Sequence, residues 1–440
     1  MILVAVFAEP LGLDRSGGWG PARTFLLGCG SLLALAPHIF SMVRRMRTRF
    51  IETIPSSWFL RWQELEYLSR VSRKFEDLVG SQQILDSSKR KKKTDLYLIL
   101  TFSLTILVFT WIISVGRWVE WPDTTNYFHL QAQAFLSGQL HLLVPPSEQI
   151  LQLSDPYKFD NRVGIPYLWD ASLYNGNYHL YWGPIPAVIT AILESVLQVE
   201  VGDQYLVYIF TLGAMAFSLL VLKLIWNRFF STLAAWTILP WAIMLCFGNP
   251  GPWLMGRPAV YEAAIASGQF FFAGGLYWFL LGFGQSRRSI QYNGLSGAFF
   301  IGAIASRITL LPGVLMLGVL GVTQLVSDDS NHGKIRKLFI RRYSIYYGLI
   351  MLGLLFIGWF NHARFGNVFE FGHRYQLTSW GMANSYEDFF SWRNVLPNFY
   401  NYFLTGYRSL SVFPFVKPGW GVAGVPVLRA YAVAIIIQSR

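Results

Sequence analysis

Residues 89–115 read KRKKKTDLYLILTFSLTILVFTWIISV, a cluster of basic residues followed by a long apolar run. The run from Leu96 to Val115 has the length of about 20 residues that a helix needs to cross a bilayer. Basic clusters beside a span mark its cytoplasmic end, and aromatic residues such as Trp118 favour the interface at the other end. This stretch therefore predicts a helix that begins in the cytoplasm and ends on the outer face.

The composition of the whole chain supports a membrane protein. Of its 440 residues, 53% are hydrophobic and only 14% are charged, whereas about 25% of a soluble domain is charged. The alternating segments of a transmembrane barrel are absent, so the sequence predicts an all-α polytopic protein. The net charge of +12 lies in short clusters beside apolar runs. This pattern is typical of membrane topology, and it predicts no nucleic-acid partner.

The same charge rule predicts the path of the rest of the core. Pro184–Val199 is short and holds two prolines, so we expect a half-inserted helix in the outer leaflet rather than a span. Leu295–Val326 is too long for one span, and we expect two short helices that meet near Arg307. The loop over 116–183 is then a large outer loop that carries membrane-parallel helices. Full spans are predicted at Tyr205–Leu224, Leu233–Gly248, Ala263–Phe283 and Ile345–Phe360.

The two ends of the chain carry separate predictions. Residues 1–94 form an N-terminal region with one possible span at Thr24–Val43 and an amphipathic helix over 58–85 on the cytoplasmic surface. Residues 95–440 form the transmembrane core. The apolar stretch that closes the sequence resembles a span that stops early, which predicts a C-terminally truncated core.

Charged and aromatic residues gather on the predicted outer face. Carboxylates and aromatic rings are suited to a sugar, and Arg is suited to bidentate recognition of phosphate. Together they indicate chemistry on a phosphorylated lipid and a sugar. The segments that contribute are Asp123, the loop over 157–183, Arg257–Glu262, Arg307 and the stretch over 361–377.

Several of these segments resemble motifs of the GT-C glycosyltransferase superfamily, which includes protein mannosyltransferases and bacterial aminoarabinose transferases. WPDTTNY at 121–127 resembles the acidic motif after the first core span, and YHLYWGPIP at 178–186 resembles the start of the second outer helix. GAIASR at 302–307 resembles the basic end of a later span. RPAVYE at 257–262 and NHARFGNVFEFG at 361–372 resemble an uncharacterised bacterial subgroup. The resemblance covers roughly residues 95–416.

The resemblance implies a GT-C-like helix bundle in a bacterial inner membrane, with its active site on the extracytoplasmic side. The donor is a polyprenyl-phosphate sugar, and an acidic residue of the first outer loop deprotonates the acceptor. Many relatives have Asp-Glu where this chain has Asp123-Thr124, so one- and two-carboxylate sites both stay open. No cofactor is expected, although a divalent metal on Asp123 and a second carboxylate remains an alternative. Membrane lipids are the other partner.

Asp123 is the candidate general base; its alternative role is to cap the helix that follows. Arg307 is the candidate for the lipid phosphate, because an Arg between apolar helices is costly without a partner; the alternative is snorkelling to the interface. Arg257 is a second phosphate candidate. Glu262 starts a helix, where the dipole favours an acid in any case.

The remaining candidates lie in the outer loops. Asp170, Tyr181 and Trp182 are expected to line the mouth of the site, beside a turn at Asn175-Gly176. Arg364 and Glu370 are expected to contact the acceptor or the sugar. Lys158, Asp160 and Arg162 are expected to form a solvated network. A transporter or lipid flippase and a non-catalytic scaffold remain alternatives to a transferase, and the oligomeric state is open.

Overall fold

The computed structural model describes residues 87–282, 288–326 and 332–379, with short pieces around 391–399, 407–409 and 416–418 and two isolated residues near the start. The predicted span at Thr24–Val43, the amphipathic helix over 58–85 and the closing apolar stretch lie outside the described residues.

The described part is mostly helical. Its helices are α1 Ser87–Ile113, α2 Tyr127–Leu136, α3 Glu148–Leu151, α4 Ile185–Leu197, α5 Asp203–Phe229, α6 Leu239–Phe247, α7 Gly251–Gly256, α8 Val260–Gly282, α9 Ser289–Ser306, α10 Leu311–Val326 and α11 His332–Phe365. Its strands are β1 Ser172–Tyr174, β2 Asn177–His179, β3 Tyr407–Ser409 and β4 Val416–Pro418, which pair as β1–β2 and β3–β4.

Four helices of the described residues are long and apolar enough to cross a membrane. They are Lys89–Ile113 in α1, Asp203–Phe229 in α5, Val260–Gly282 in α8 and Tyr343–Phe365 in α11. They coincide with four of the predicted spans, and they indicate a helical membrane protein.

The predicted break at Arg307 is confirmed. α9 ends at Ser306, Arg307 is extended with φ −146° and ψ 106°, and a 3₁₀ turn over Ile308–Leu310 leads into α10. Pro312 is the second residue of α10, where its missing N–H disrupts no helical hydrogen bond. A single helix through this point would place Pro312 in a helix interior, which is why the chain makes two helices.

The span predicted at Leu233–Gly248 differs from the structure. A 3₁₀ turn over Ala235–Ile238 precedes α6, and together they form an apolar helix over Ala235–Phe247 that is shorter than a bilayer requires. Pro240 lies in the first turn of α6. Because proline is tolerated at that place and not in a helix interior, it separates the two pieces.

α4 has the short length that the sequence predicts. It comprises 13 residues, with Pro186 in its first turn. Val188, Ile192 and Val196 are exposed and follow one another at four-residue spacing, so one apolar face of the helix is open. Its position in the outer leaflet stays a prediction.

The described residues form two compact units. Unit 1 contains α1, α5 to α10 and the first part of α11, and unit 2 contains residues 127–183, the middle of α4 and the chain from Phe356 onward. In unit 1, α8 packs against both α5 and α9. Glycines make these close approaches possible: a Cβ on Gly302 would lie 2.5 Å from the Phe271 ring, and one on Gly275 would lie 2.6 Å from the Phe300 ring.

Unit 2 is built around the β1–β2 hairpin. Ser172 pairs with His179 and Tyr174 pairs with Asn177. The turn predicted at Asn175-Gly176 is confirmed, and both residues have positive φ, 48° and 72°. That is the conformation of a tight type I′ hairpin turn, for which Asn-Gly is the preferred sequence.

Candidate functional site

The loop after α1 in unit 1 is held on α5 by aromatic packing. Trp121 is buried and stacks on Tyr205 with a ring separation of 5.1 Å, and its ring meets that of Tyr208 edge-on at 4.9 Å. Tyr208 Oη in turn lies 2.6 Å from Thr110 Oγ1 of α1. The loop thus begins from a rigid aromatic support between two helices.

Two threonines fasten this loop to the starts of α5 and α8. Thr124 Oγ1 donates to the Pro258 carbonyl. Thr125 Oγ1 donates to Asp203 Oδ2 at 2.5 Å and accepts from the Val260 N–H at 2.8 Å. Asp203 is fully buried, and its own N–H donates to the Thr125 carbonyl at 3.2 Å. Charge-assisted hydrogen bonds of this kind are the stronger ones, so the residue pair Thr124-Thr125 has a well-defined position.

Asp123 lies directly before this fastened pair and is exposed. Asn126 Nδ2 donates to Asp123 Oδ2 at 3.1 Å and to Glu200 Oε1 at 3.2 Å, so one amide holds two exposed carboxylates. α2 begins at Tyr127, and Asn126 therefore holds the position directly before the helix. The alternative interpretation of Asp123 as the cap of that helix is not supported by this spacing.

Arg307 contacts the start of α8. Its Nη2 donates to Tyr261 Oη at 3.3 Å, and its guanidinium carbon lies 4.7 Å from the centre of the Tyr261 ring. Gly268 leaves room for the arginine stem, since a Cβ there would lie 3.4 Å from Arg307 Cγ. A hydrogen bond of 2.8 Å between Ser267 Oγ and Ser306 Oγ fixes the end of α9 beside α8. The break after Ser306 thus places the partly exposed Arg307 at this end of the helices.

Glu262 connects two arginines at the same place. Its side chain is 1% exposed, and its Oε1 lies 3.9 Å from Nε of Arg257. The guanidinium groups of Arg257 and Arg307 both act electrostatically on this carboxylate. Nearly half of the Arg257 side chain is exposed. A buried carboxylate thus lies close to one partly exposed arginine and interacts electrostatically with both.

The N-terminal end of α8 is where these residues meet. Thr124 and Thr125 bond to Pro258 and Val260, and Arg307 bonds to Tyr261. Four of the sequence candidates, Asp123, Arg257, Glu262 and Arg307, thus belong to one end of unit 1. An exposed carboxylate can accept a proton there, and the guanidinium forks can bind an anionic oxygen.

The candidates in unit 2 form a second cluster. Asp170 has a φ of 63° and accepts hydrogen bonds from Tyr181 Oη at 3.4 Å and from Gln376 Nε2. Tyr181 is buried between Trp182, with a ring separation of 4.1 Å, and His373, at 4.5 Å. The structure therefore brings Asp170, Tyr181 and Trp182 together. Their contact with substrate stays a prediction.

Arg364 and Glu370 also bond to protein groups within unit 2. Arg364 is 5% exposed and donates to the Leu180 carbonyl at 2.5 Å, to Asn361 Oδ1 at 3.0 Å and to the Phe360 carbonyl at 3.3 Å. Glu370 Oε1 accepts from the Gly372 N–H at 2.7 Å. Arg364 joins the end of α11 to the chain after β2, and Glu370 holds a local turn.

The solvated network predicted around Arg162 is wrong for that residue. Arg162 is 1% exposed and donates to the carbonyl of Thr378. Its guanidinium carbon lies 4.6 Å from the centre of the Tyr167 ring, and burial lowers its pKa. The aromatic neighbours and the carbonyl, rather than water, surround this cation.

Sequence reasoning missed the residues that hold Asp123 in place. Asn126, Glu200 and Asp203 were not identified, although Gly202-Asp203 carries the signal of a helix start with an acid in its first turn. Asp123 and Glu200 supply two carboxylates that could face a cation. Within the described ranges, no group of three or more His, Cys, Asp or Glu side chains could hold a metal ion.

Comparison of the chain with protein-family models, with curated proteins and with solved structures finds no match.

Proposed function

We propose that this chain is a membrane glycosyltransferase that moves a sugar from a polyprenyl-phosphate carrier to an extracytoplasmic acceptor. The observation that carries the proposal is the end of unit 1, where the exposed Asp123 follows α1 on a fastened loop and Arg307 and Arg257 share the N-terminus of α8. The resemblance of these segments to GT-C motifs supports the same function. The proposed location is a bacterial inner membrane, with this end facing outward.

In the proposed reaction, Asp123 acts as the general base. An acceptor hydroxyl attacks the anomeric carbon of the donor, its proton passes to the Asp123 carboxylate, and the bond from that carbon to the phosphate oxygen breaks. The polyprenyl phosphate leaves with the electron pair, and the configuration at the anomeric carbon inverts. General-base catalysis typically accelerates a reaction by about 10²–10⁴-fold.

The arginines stabilise the leaving group in this proposal. Negative charge grows on the phosphate oxygens as the sugar departs, and guanidinium forks can bind two such oxygens at once. Arg307 lies over the Tyr261 ring, and the buried Glu262 carboxylate interacts electrostatically with both Arg307 and Arg257. Pre-oriented cations stabilise developing charge with little reorganisation during the step.

Sugar transfer by the purified protein in lipid tests the proposal. The assay supplies a panel of polyprenyl-phosphate sugars and compares wild type with Asp123→Asn. We expect transfer to fall by about 10²-fold or more, with an unchanged melting temperature. Glu120→Gln is the matched control. The Glu120 side chain is also exposed in the same loop, and it forms an ion pair with Arg117, three residues earlier. Full transfer by Asp123→Asn, or an equal loss in Glu120→Gln, would reject Asp123 as the base.

A lipid flippase or transporter is the second candidate, and the broken helix pair at Arg307 favours it, because discontinuous helices are frequent at transport sites. Arg307→Ala distinguishes the two functions. A flippase variant loses translocation of the lipid-linked sugar in sealed vesicles, whereas a transferase variant loses only product formation. Translocation by wild type without any transfer would replace the first proposal by the second.

A further inference from the structure

Three exposed lysines lie on one side of α1, at the end of the helix opposite the Asp123 loop. Lys89, Lys92 and Lys93 are exposed. Lys92 and Lys93 lie three and four residues after Lys89, so all three share one side of the helix. The same side continues with exposed apolar residues at helical spacing. These are Leu96, Ile99, Leu100, Leu104, Leu107 and Trp111.

Neighbouring basic residues have other roles within unit 1. Arg90 Nε donates to the Leu233 carbonyl at 2.7 Å, and its Nη2 donates to the Phe230 carbonyl at 2.6 Å. Lys223 of α5 forms an ion pair with Asp95 of α1. Arg90 and Lys223 are both buried. Lys223 joins α1 to α5, and Arg90 joins α1 to the region after α5. The lysine face is separate from these contacts.

We propose that Lys89, Lys92 and Lys93 form a binding surface for the headgroups of anionic phospholipids. The apolar residues of the same face lie against acyl chains, and lysine stems reach along such a face to place their ammonium groups at headgroup level. Each basic residue near an anionic surface contributes to attraction, and clusters of them beside a span select negatively charged lipids. The surface therefore fits a bilayer lipid with an exposed phosphate. The inference is independent of sugar transfer.

Photo-crosslinking in vesicles tests this surface locally. The full chain is reconstituted in equal parts of phosphatidylglycerol and phosphatidylcholine, with a photo-crosslinking amino acid in place of Leu96, which is 52% exposed. A second protein carries the same group in place of Trp111, which is 53% exposed on the same face near the other end of α1. Mass spectrometry of the adducts gives the ratio of the two lipids at each place.

At Leu96 we expect a phosphatidylglycerol-to-phosphatidylcholine ratio about threefold or more above that at Trp111. The triple variant Lys89→Gln, Lys92→Gln, Lys93→Gln should remove most of this excess. Lys91→Gln is the matched control, because Lys91 is also exposed but lies on the other side of the helix. It should preserve the excess, and raised salt should weaken it.

Three outcomes would overturn the proposal. Equal ratios at Leu96 and Trp111 would show that the lysines select no lipid. An excess that survives in the triple variant, or is lost equally in Lys91→Gln, would show that the three lysines do not carry the selection. Loss of the excess on addition of inorganic phosphate, at an ionic strength matched with chloride, would identify a site for free phosphate rather than for a lipid headgroup.

Discussion

In unit 1 the exposed Asp123 carboxylate accepts a hydrogen bond from the Asn126 amide, which also donates to Glu200. In unit 2 the Asp170 carboxylate accepts hydrogen bonds from Tyr181 and Gln376. The arginines differ in the same way. Arg307 is partly exposed and lies over the Tyr261 ring, whereas Arg364 is buried and donates to protein oxygens. The same residue types are thus accessible to solvent in one unit and bonded to protein groups in the other. Burial and partners, rather than residue type, distinguish the two uses.

The largest expected effect is a difference in stability between the alanine variants of Arg364 and Arg307. Arg364→Ala leaves the Leu180 carbonyl and Asn361 Oδ1 without the buried guanidinium donors. We expect the free energy of unfolding to fall by about 3 kcal/mol or more, since each buried unsatisfied group costs about 1–3 kcal/mol. Arg307→Ala should lower it by less than about 1 kcal/mol, the loss of one partly exposed cation–π contact. Denaturant unfolding of both variants in detergent measures the difference. Equal losses of unfolding free energy would show that the two arginines do not differ in their structural role.

The next effect is a pH dependence that belongs to unit 2. Burial, with the nearby Arg364 guanidinium and His141, lowers the pKa of His179 to about 4, from its ordinary value of 6.5. Between about pH 4 and pH 6.5, His179 is therefore protonated in the unfolded chain and neutral in the folded chain. Stability is complete above about pH 6.5 and falls as the pH drops towards 4, by up to about 3 kcal/mol.

Unfolding measured between pH 7 and pH 4 checks this dependence, with His179→Gln expected to flatten the profile. His362→Gln is the control, because His362 is exposed and its loss should leave the profile as in wild type. An identical slope in wild type and His179→Gln would show that other groups cause the acid sensitivity.

The smallest effect sharpens the contrast between the aspartates. Asp170→Asn keeps a carbonyl oxygen for Gln376 and a residue type that tolerates the positive φ of 63°. It loses the charge that strengthens the bonds from Gln376 and Tyr181, and we expect a loss of about 1 kcal/mol in unfolding free energy. Asp123→Asn should leave that free energy unchanged. A thermal melt of each variant decides, and a destabilised Asp123→Asn would contradict an open role for Asp123.

Local signals in the sequence were sufficient for much of the fold. Apolar length predicted the helices in α1, α5, α8 and α11, and the basic clusters together with Pro312 predicted the break at Arg307. Asn175-Gly176 predicted its turn because few residue pairs accept two successive positive φ angles. Pro240 could have indicated the interruption before α6, which the average hydropathy of that run concealed.

The partners of the site residues were not predictable in the same way. Asn126 and Glu200 are separated by 74 residues, and Arg162 bonds to a carbonyl 216 residues away. A pattern confined to neighbouring residues carries no information on such contacts. The solvated setting expected for Arg162 failed for this reason, since Tyr167 and Thr378 bury it only after the chain has folded.

The hydrogen bonds that hold Thr124 and Thr125 have a consequence for the order of folding during synthesis. Thr125 bonds to Asp203, 78 residues later, and to Val260, 135 residues later. At about 5–20 residues per second, a ribosome reaches Val260 roughly ten seconds after Thr125. During this interval the loop lacks the Val260 N–H that bonds to Thr125. The contacts that hold Thr125 can therefore be complete only after Val260 has been synthesised, and nascent chains arrested before α8 should lack them.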